Sequence, residues 1–225
     1  ALRLCPTRLY WRELKNACVN GSSELMSNLS ASVVSILFNL QLMHIIGEQG
    51  VAAYSVMMYV DFAFAAVFLG FSMGNGPIVS FHFGADNRDE LKNVFRKSMT
   101  VIVLASLAMV ALSELLARPL SAAFVGYSPE LLELTVHGFR IFALSYLFVG
   151  FGIYGSAFFT ALCNGPVSAL ISFLRTFLFR GGLVLLLPLV LDLDGIWLAV
   201  VAADSLGAAV ALGLTWRYRK RYHYL

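Results

Sequence analysis

Residues 61–98 read DFAFAAVFLGFSMGNGPIVSFHFGADNRDELKNVFRKS, and this stretch indicates the fold more clearly than any other part of the chain. It begins inside an apolar run at 51–85, which predicts a long helix with an acid, Asp61, deep within it. The GNGP sequence at 74–77 is predicted to break that helix, and a charged hinge follows at 84–92. A bilayer admits a broken helix only where protein or a polar cavity covers it, and an intramembrane carboxylate marks a substrate or ion pathway. The combination predicts a transporter rather than a membrane anchor.

Composition identifies an integral membrane protein. Of 225 residues, 59% are hydrophobic and 13% are charged, whereas a soluble domain has about a quarter charged residues. Six apolar segments each reach the roughly 20 residues that a helix needs to cross a bilayer. They are 24–46, 51–83, 94–116, 131–162, 167–191 and 196–216. Because the period-two alternation of a β-barrel is missing, we predict an all-α polytopic bundle of six transmembrane helices.

The positive charges predict the orientation. Fourteen of the sixteen Lys and Arg residues fall on one side of the membrane if the six spans alternate, and Arg118 and Arg140 fall on the other. Arg175 and Arg180, in the first half of span five, belong to the fourteen. By the positive-inside rule, both termini are cytoplasmic in a plasma-membrane protein. The same rule explains the basic clusters as topology, and no nucleic-acid partner is expected.

We divide the chain into a cytoplasmic connector at 1–20, a transmembrane bundle at 21–216 and a basic cytoplasmic tail at 217–225. Asn and Ser residues at 20–23 are predicted to cap the first span. Cys5, Cys18 and Cys163 all fall on the predicted cytoplasmic side, so we expect free thiols. The chain does not begin with Met, and we expect a fragment whose related half lies outside it.

A polar stripe runs along span one. Glu24, Asn28, Ser35 and Asn39 fall on one helical face, and such a face turns towards protein or water in a membrane. One interpretation is a cation or substrate site in which Glu24 carries the charge. The other is that Glu24 is an ordinary first-turn acid and that the remaining residues join helices.

A second polar stripe runs along span two and includes Asp61, Ser72 and Asn75. Since span two itself contains no Lys or Arg beside Asp61, we expect this acid either to exchange a proton or to be satisfied by hydroxyl groups or by a partner helix. Gly74, Gly76 and Pro77 form a predicted hinge, because Pro77 removes a backbone donor. Asp204, in span six, either joins the cavity or pairs within the bundle.

A third group of charges lies towards the outer side. Glu133, His137 and Arg140 recur at i, i+4 and i+7 in span four, and Glu114 at the end of span three can pair with Arg140. This set is either the latch of an outer gate or a static ion-pair network.

Enzyme motifs are missing from the sequence. It contains no phosphate-binding G-x-x-x-x-G-K-[ST] loop, no H-E-x-x-H motif and no nucleophile elbow. The Cys spacing matches no metal site. We therefore predict neither an enzyme nor a bound cofactor.

Four stretches resemble the multidrug and toxic compound extrusion (MATE) family. They are GPIVSFHFGADN at 76–87, GVAAY at 50–54, FFTAL at 158–162 followed by Arg175, and LDGIWLA at 193–199. The resemblance implies one half of a twelve-span transporter, here the C-terminal half, with residues 1–20 joining it to an N-terminal half. It also implies that Glu24 belongs to the cation site. An Asp that other members carry in the fourth helix of this half has no counterpart at 144–154.

The function that this resemblance implies is antiport, in which H⁺ or Na⁺ enters as a cationic or amphipathic organic compound leaves. The partners implied are the small-molecule substrate, the lipid bilayer and the N-terminal half. Two alternatives remain open. A flippase for lipid-linked saccharides needs cavity cations to hold a pyrophosphate, and Arg140, Arg175 and Arg180 are the candidates. A non-transporting assembly subunit needs no water-accessible acid.

The predicted orientation can be tested by cysteine labelling in intact cells. In a background without native cysteines, a membrane-impermeant maleimide should modify Cys introduced at Glu48 or Asp192 and should leave Cys at Asn87 unmodified. Labelling at position 87 from outside would reverse the orientation.

Overall fold

A computed structural model describes residues 10–224, apart from the side chain of Ser23, and this part of the chain is helical without strands. The helices are α1 (Trp11–Ile45), α2 (Glu48–Gly84), α3 (Arg88–Val125), α4 (Pro129–Ala143), α5 (Tyr146–Ala161), α6 (Gly165–Phe173), a π-helical segment (Leu174–Gly181), α7 (Gly182–Leu186) and α8 (Pro188–Tyr222). Five helical stretches can cross a membrane by length and composition, or six if the bent pair α4 and α5 forms one span. The predicted all-α membrane bundle is confirmed.

Helix α1 begins earlier than predicted. It runs unbroken from Trp11 through 20–23, so the predicted cap there is wrong. The hydroxyl of Ser22 donates 2.7 Å back to the carbonyl of Val19 instead of capping a helix start. Residues 11–23 contain no Pro and many good helix formers, and a single Gly does not end such a helix. The described part of the predicted connector is therefore helical, while Cys5 lies outside the described residues.

Helix α2 continues through 74–77, so the prediction that the helix is interrupted there is wrong. Pro77 removes only the hydrogen bond that the carbonyl of Met73 would accept. Asn75 meanwhile ties this turn to its neighbours, because its amide donates to Ser98 Oγ at 2.8 Å and to Tyr154 Oη at 3.1 Å. The hinge role of Gly74, Gly76 and Pro77 stays a prediction.

Elsewhere the fold has a capped helix start and a sharp turn. The Ser128 hydroxyl accepts from the backbone of Leu131 at the start of α4. The chain turns at Asp192, whose φ is 46° and ψ is −126°. After that turn, a Cβ on Gly195 would lie 2.6 Å from the backbone of Leu187, so only glycine allows this approach.

Span four is bent by 50° between α4 and α5. The backbone at the bend tightens, since the amide of Ser145 donates to the carbonyl of Phe142 at 2.9 Å and that of Phe148 donates to Ser145 at 2.9 Å. These i→i+3 bonds narrow the helix by local 3₁₀ geometry. The bend directs α5 into the centre of the bundle, where it contacts α1, α2, α3, α6 and α8.

The far end of the chain also packs against the bundle. The tail predicted at 217–225 is helical up to Tyr222. Beyond it, His223 has a φ of 55°, and the buried Tyr224 donates 2.6 Å to the carbonyl of Thr215. This reversal places Tyr224 against Phe95 and Phe158.

Close packing of α5 gives a paired stability test. A Cβ on Gly150 would lie 2.7 Å from Phe68 and 3.1 Å from Ile102, whereas one on Gly213 meets nothing within 4 Å. Gly150→Ala should destabilise the bundle by about 1–3 kcal/mol, and the control Gly213→Ala should stabilise it by about 0.5–1 kcal/mol. In detergent, the midpoint of thermal unfolding should be lower than that of the wild type for Gly150→Ala only. Equal midpoints would show that α5 has room to move.

Candidate functional site

A cavity of about 600 Å³ lies among α1, α2, α5, α6 and the π-helical segment. It extends from the start of the predicted bundle, at Asn20 and Gly21, to Asp61 in the middle of α2. Its wall combines apolar side chains such as Val149 and Ile153 with hydroxyl groups and four charged side chains. A volume of this size falls in the usual range for small-molecule sites.

Asp61 is the acid at the inner end of the cavity. It is 8% exposed, and its carboxylate interacts electrostatically with Arg180, Asp204 and Arg175. The hydroxyl of Tyr146 lies beside the carboxylate but outside hydrogen-bond geometry. The positive charges near Asp61 therefore lie on span five, and the sequence of span two alone does not reveal them.

Arg180 and Asp204 form a buried ion pair. Arg180 Nη2 donates to Asp204 Oδ2 at 2.7 Å, and Arg180 Nε donates to Oδ1 at 3.2 Å. Asp204 is fully buried, and the side chain of Arg180 is 19% exposed. This two-point contact matches the planar guanidinium to the carboxylate. Of the two sequence interpretations of Asp204, pairing within the bundle is confirmed.

Arg175 has a different environment. Its side chain lines the cavity, and no group of residues 10–224 accepts a hydrogen bond from its guanidinium. Its stem is held between α5 and α8, where a Cβ on Gly152 would lie 2.5 Å from Cδ and one on Gly207 would lie 2.7 Å from Cγ. The guanidinium is thus fixed in place and without a hydrogen-bonded partner, within electrostatic reach of Asp204 first and of Asp61 and Glu24 after it.

The π-helical segment explains why both arginines face the same interior. In an α-helix, the residues that share a face are three or four apart, so positions 175 and 180 would diverge. A π turn closes i→i+5 hydrogen bonds and brings residues five apart together. Both arginines line the cavity inside the bundle, and the cytoplasmic side to which the charge count assigns them stays a prediction. Their position within an apolar span was the available signal.

Besides Asp61, three of the residues predicted to bind cation or substrate line the cavity, as does the predicted hinge residue Gly76. Glu24 and Asn28 lie on its α1 wall, and Ser72 lies on its α2 wall. The amide of Asn28 donates 2.9 Å to the carbonyl of Glu24 and 3.4 Å to its carboxylate. The buried hydroxyl of Ser72 has no hydrogen-bond partner in the described part of the chain.

Two predicted site residues do not line this cavity. Asn39 donates 2.9 Å to the carbonyl of Ser35 in its own helix, and Asn75 joins α2 to α3 and α5. The amide of Asn39 therefore bonds within α1, whereas that of Asn75 joins helices. A direct role for either in ion or substrate binding stays a prediction.

The outer charges form separate pairs rather than one network. Arg140 Nε lies 3.8 Å from Glu114, as predicted, whereas Glu133 pairs with Arg118 at 3.2 Å and His137 with Asp194 at 2.8 Å. All of these side chains are exposed, and exposed pairs contribute about 0–1 kcal/mol each. Arg140 lies away from the cavity. Whether the pairs act as a gate latch stays a prediction.

The described residues contain no group of three or more His, Cys, Asp and Glu side chains that could hold a metal ion. Cys18 and Cys163 are free thiols, as predicted.

A family model, MatE, matches residues 25–183. A comparison with curated proteins found no match. Among solved structures, a MATE in complex with MaL6 superposes with a TM-score of 0.88 at 20% identity, covering 98% of this chain and 49% of that chain. The Vibrio cholerae MATE transporter VcmN superposes with a TM-score of 0.85 at 18% identity, covering 95% and 48%.

A MOP superfamily transporter from Pyrococcus furiosus, described as having a binding pocket of reverse polarity, superposes with a TM-score of 0.86 at 20% identity, covering 97% of this chain and 48% of that chain. The chain thus spans about half the length of the solved structures that it matches.

The buried ion pair yields a stability prediction. Asp204→Asn leaves the Arg180 charge buried without its partner, and breaking such a pair costs about 3–5 kcal/mol. The matched control is Glu133→Gln, which breaks the exposed pair with Arg118 at a cost of about 0–1 kcal/mol. Thermal unfolding in detergent should separate the two variants. Similar midpoints would show that Arg180 finds another partner or water.

Proposed function

Because this chain belongs to the MatE family, we propose that it forms one half of a plasma-membrane exporter driven by inward movement of H⁺ or Na⁺. The exported compound is organic and cationic or amphipathic. The other half is a second six-helix bundle, N-terminal to this one in the same polypeptide. Both termini of this half face the cytoplasm.

The observation that carries the proposal is the position of Asp61. This carboxylate lines the cavity while being 8% exposed and without an ion pair within 4 Å among the described residues. A desolvated carboxylate interacts strongly with a cation that reaches it. Coupling follows if the cation and a substrate group compete for Asp61 and if the two halves expose it to each side in turn.

Glu24 supports the same proposal at the other end of the cavity. It is exposed on the cavity wall, with Asn28 holding its carboxylate. An acid at the entrance attracts cations, and the hydrogen-bonding amide orients it. We assign Glu24 and Asn28 to cation entry and Asp61 to coupling.

A flippase is the second candidate, since Arg175 and Arg180 both line the cavity. The charge of Arg180 is already balanced by Asp204, and Arg140 pairs with Glu114 away from the cavity. Among the described residues, Arg175 is therefore the one cavity cation without an ion pair. A single free positive charge is too few to balance a pyrophosphate, which carries two or more negative charges. A non-transporting subunit does not account for a water-accessible acid at Asp61.

The test is transport by the full-length protein in liposomes. Asp61→Asn and Glu24→Gln should each weaken transport driven by an imposed H⁺ or Na⁺ gradient by roughly 5- to 150-fold, the range of ordinary coupling energies. Expression and thermal stability should be unchanged. The control is Asp86→Asn, because Asp86 is exposed and pairs with Arg88 away from the cavity.

Wild-type transport by both Asp61→Asn and Glu24→Gln would remove these acids from the coupling mechanism. Loss of transport in the control as well would point to a general effect of removing acids.

A further inference from the structure

From the unpaired guanidinium in the cavity, we infer that the transported compound carries an anionic group, a carboxylate or a phosphate ester, that Arg175 binds. This inference rests on the proposed transport function and narrows its substrate class. The substrate would then be zwitterionic, or amphipathic with an anionic end. Asp61 would take its cationic or hydrogen-bond-donating group.

The hydrogen bonds of the guanidinium are the first support. Arg175 Nε is buried with no partner, and no described residue pairs with the other two nitrogens. Leaving a buried charged donor unsatisfied is costly. In contrast, Arg180, five residues away on the same segment, has both of its contacting nitrogens on Asp204. The two arginines therefore have different tasks.

The rigidity of the side chain is the second support. Its stem lies between Gly152 on α5 and Gly207 on α8. It is so close to both glycines that a Cβ at either position would clash with it. A guanidinium held in this way loses little conformational freedom when it binds a planar anion at two points. A residue that served only as a mobile counter-charge would not need this fixation.

The hydroxyl groups that line the cavity are the third support. Ser72, Ser172 and Thr176 line the same cavity as Arg175, and the hydroxyl of Ser72 has no partner in the described residues. Hydroxyl groups donate to carboxylate and phosphate oxygens. Arg175 and Ser72 thus both give the cavity donors that no described residue uses.

Competition for Asp61 stays compatible with this inference. An amine or amide of the same compound can replace the coupling cation at Asp61 while the anionic group stays on Arg175. A substrate with both groups is held at two points, whereas a simple cation is held at one. We therefore expect the cavity to select zwitterions over simple cations.

The experiment compares two fluorescent probes that differ by one carboxylate. Nε-dansyl-lysine is a zwitterion, and dansylcadaverine is the same molecule without the carboxylate. Both are titrated onto the full-length protein in phosphatidylcholine nanodiscs. The wild type should bind Nε-dansyl-lysine roughly tenfold or more tightly than dansylcadaverine, as expected for a charge-assisted hydrogen bond.

Arg175→Gln should remove this preference by weakening Nε-dansyl-lysine binding alone, and Arg175→Lys should retain part of it. Arg140→Gln, which removes an arginine far from the cavity, is the matched control and should bind both probes as the wild type does. Equal binding of the two probes by the wild type, binding of neither, or equal weakening of both by Arg175→Gln would overturn the inference.

The anion could come from a soluble compound or from a lipid headgroup. Nanodiscs that contain phosphatidylglycerol distinguish the two sources. If this lipid weakens the binding of Nε-dansyl-lysine in the wild type and not in Arg175→Gln, the anion belongs to a lipid headgroup. If the lipid has no such effect, the anion belongs to a soluble compound.

The inference and the proposed function can also fail separately. If the binding of both probes is independent of Arg175 while Asp61→Asn still weakens gradient-driven transport, the inferred substrate class is wrong and antiport stands.

Discussion

The ion pair between Arg180 and Asp204 joins the π-helical segment to α8 in the interior of a membrane protein. Burying either of these charges without the other would be costly, because the interior has a low dielectric constant. The pair therefore fixes how span five packs against span six. It also balances one of the two arginines, so that Arg175 is the arginine of the cavity without an ion pair among the described residues, and the buried acid Asp61 lines the same cavity.

The helix geometry and the site depend on each other. A regular α-helix would separate Arg175 from Arg180, and the wider π turn brings both to the cavity. The bend between α4 and α5 has a similar effect, because it moves α5 into the centre, where Gly152 supports the stem of Arg175. Irregular backbone in a membrane requires internal partners. Both departures from regular helix therefore lie where neighbouring helices surround them.

The cavity combines two acids and a fixed arginine from different helices. Glu24 on α1 and Asp61 on α2 line the same space of about 600 Å³ as Arg175 on the π-helical segment. None of these three side chains has an ion-pair partner within 4 Å among the described residues. In the proposed transporter, a compound that carries both charges contacts the acids and the arginine at once.

The sequence by itself determined the membrane class and the all-α bundle of apolar spans, because length and apolar composition are local properties. It also identified Asp61, Glu24, Asn28 and Ser72 as residues of polar faces. Only the tertiary structure decided which partner each polar residue contacts. Asn75 joins three helices by hydrogen bonds, Asp204 forms an ion pair with Arg180, and Arg175 lies in the cavity without an ion pair among the described residues. The π-helical segment and the continuous course of α2 through Pro77 were also settled at this level. The reason is that pairing energies depend on contacts between spans far apart in sequence, which helical periodicity within one span does not contain.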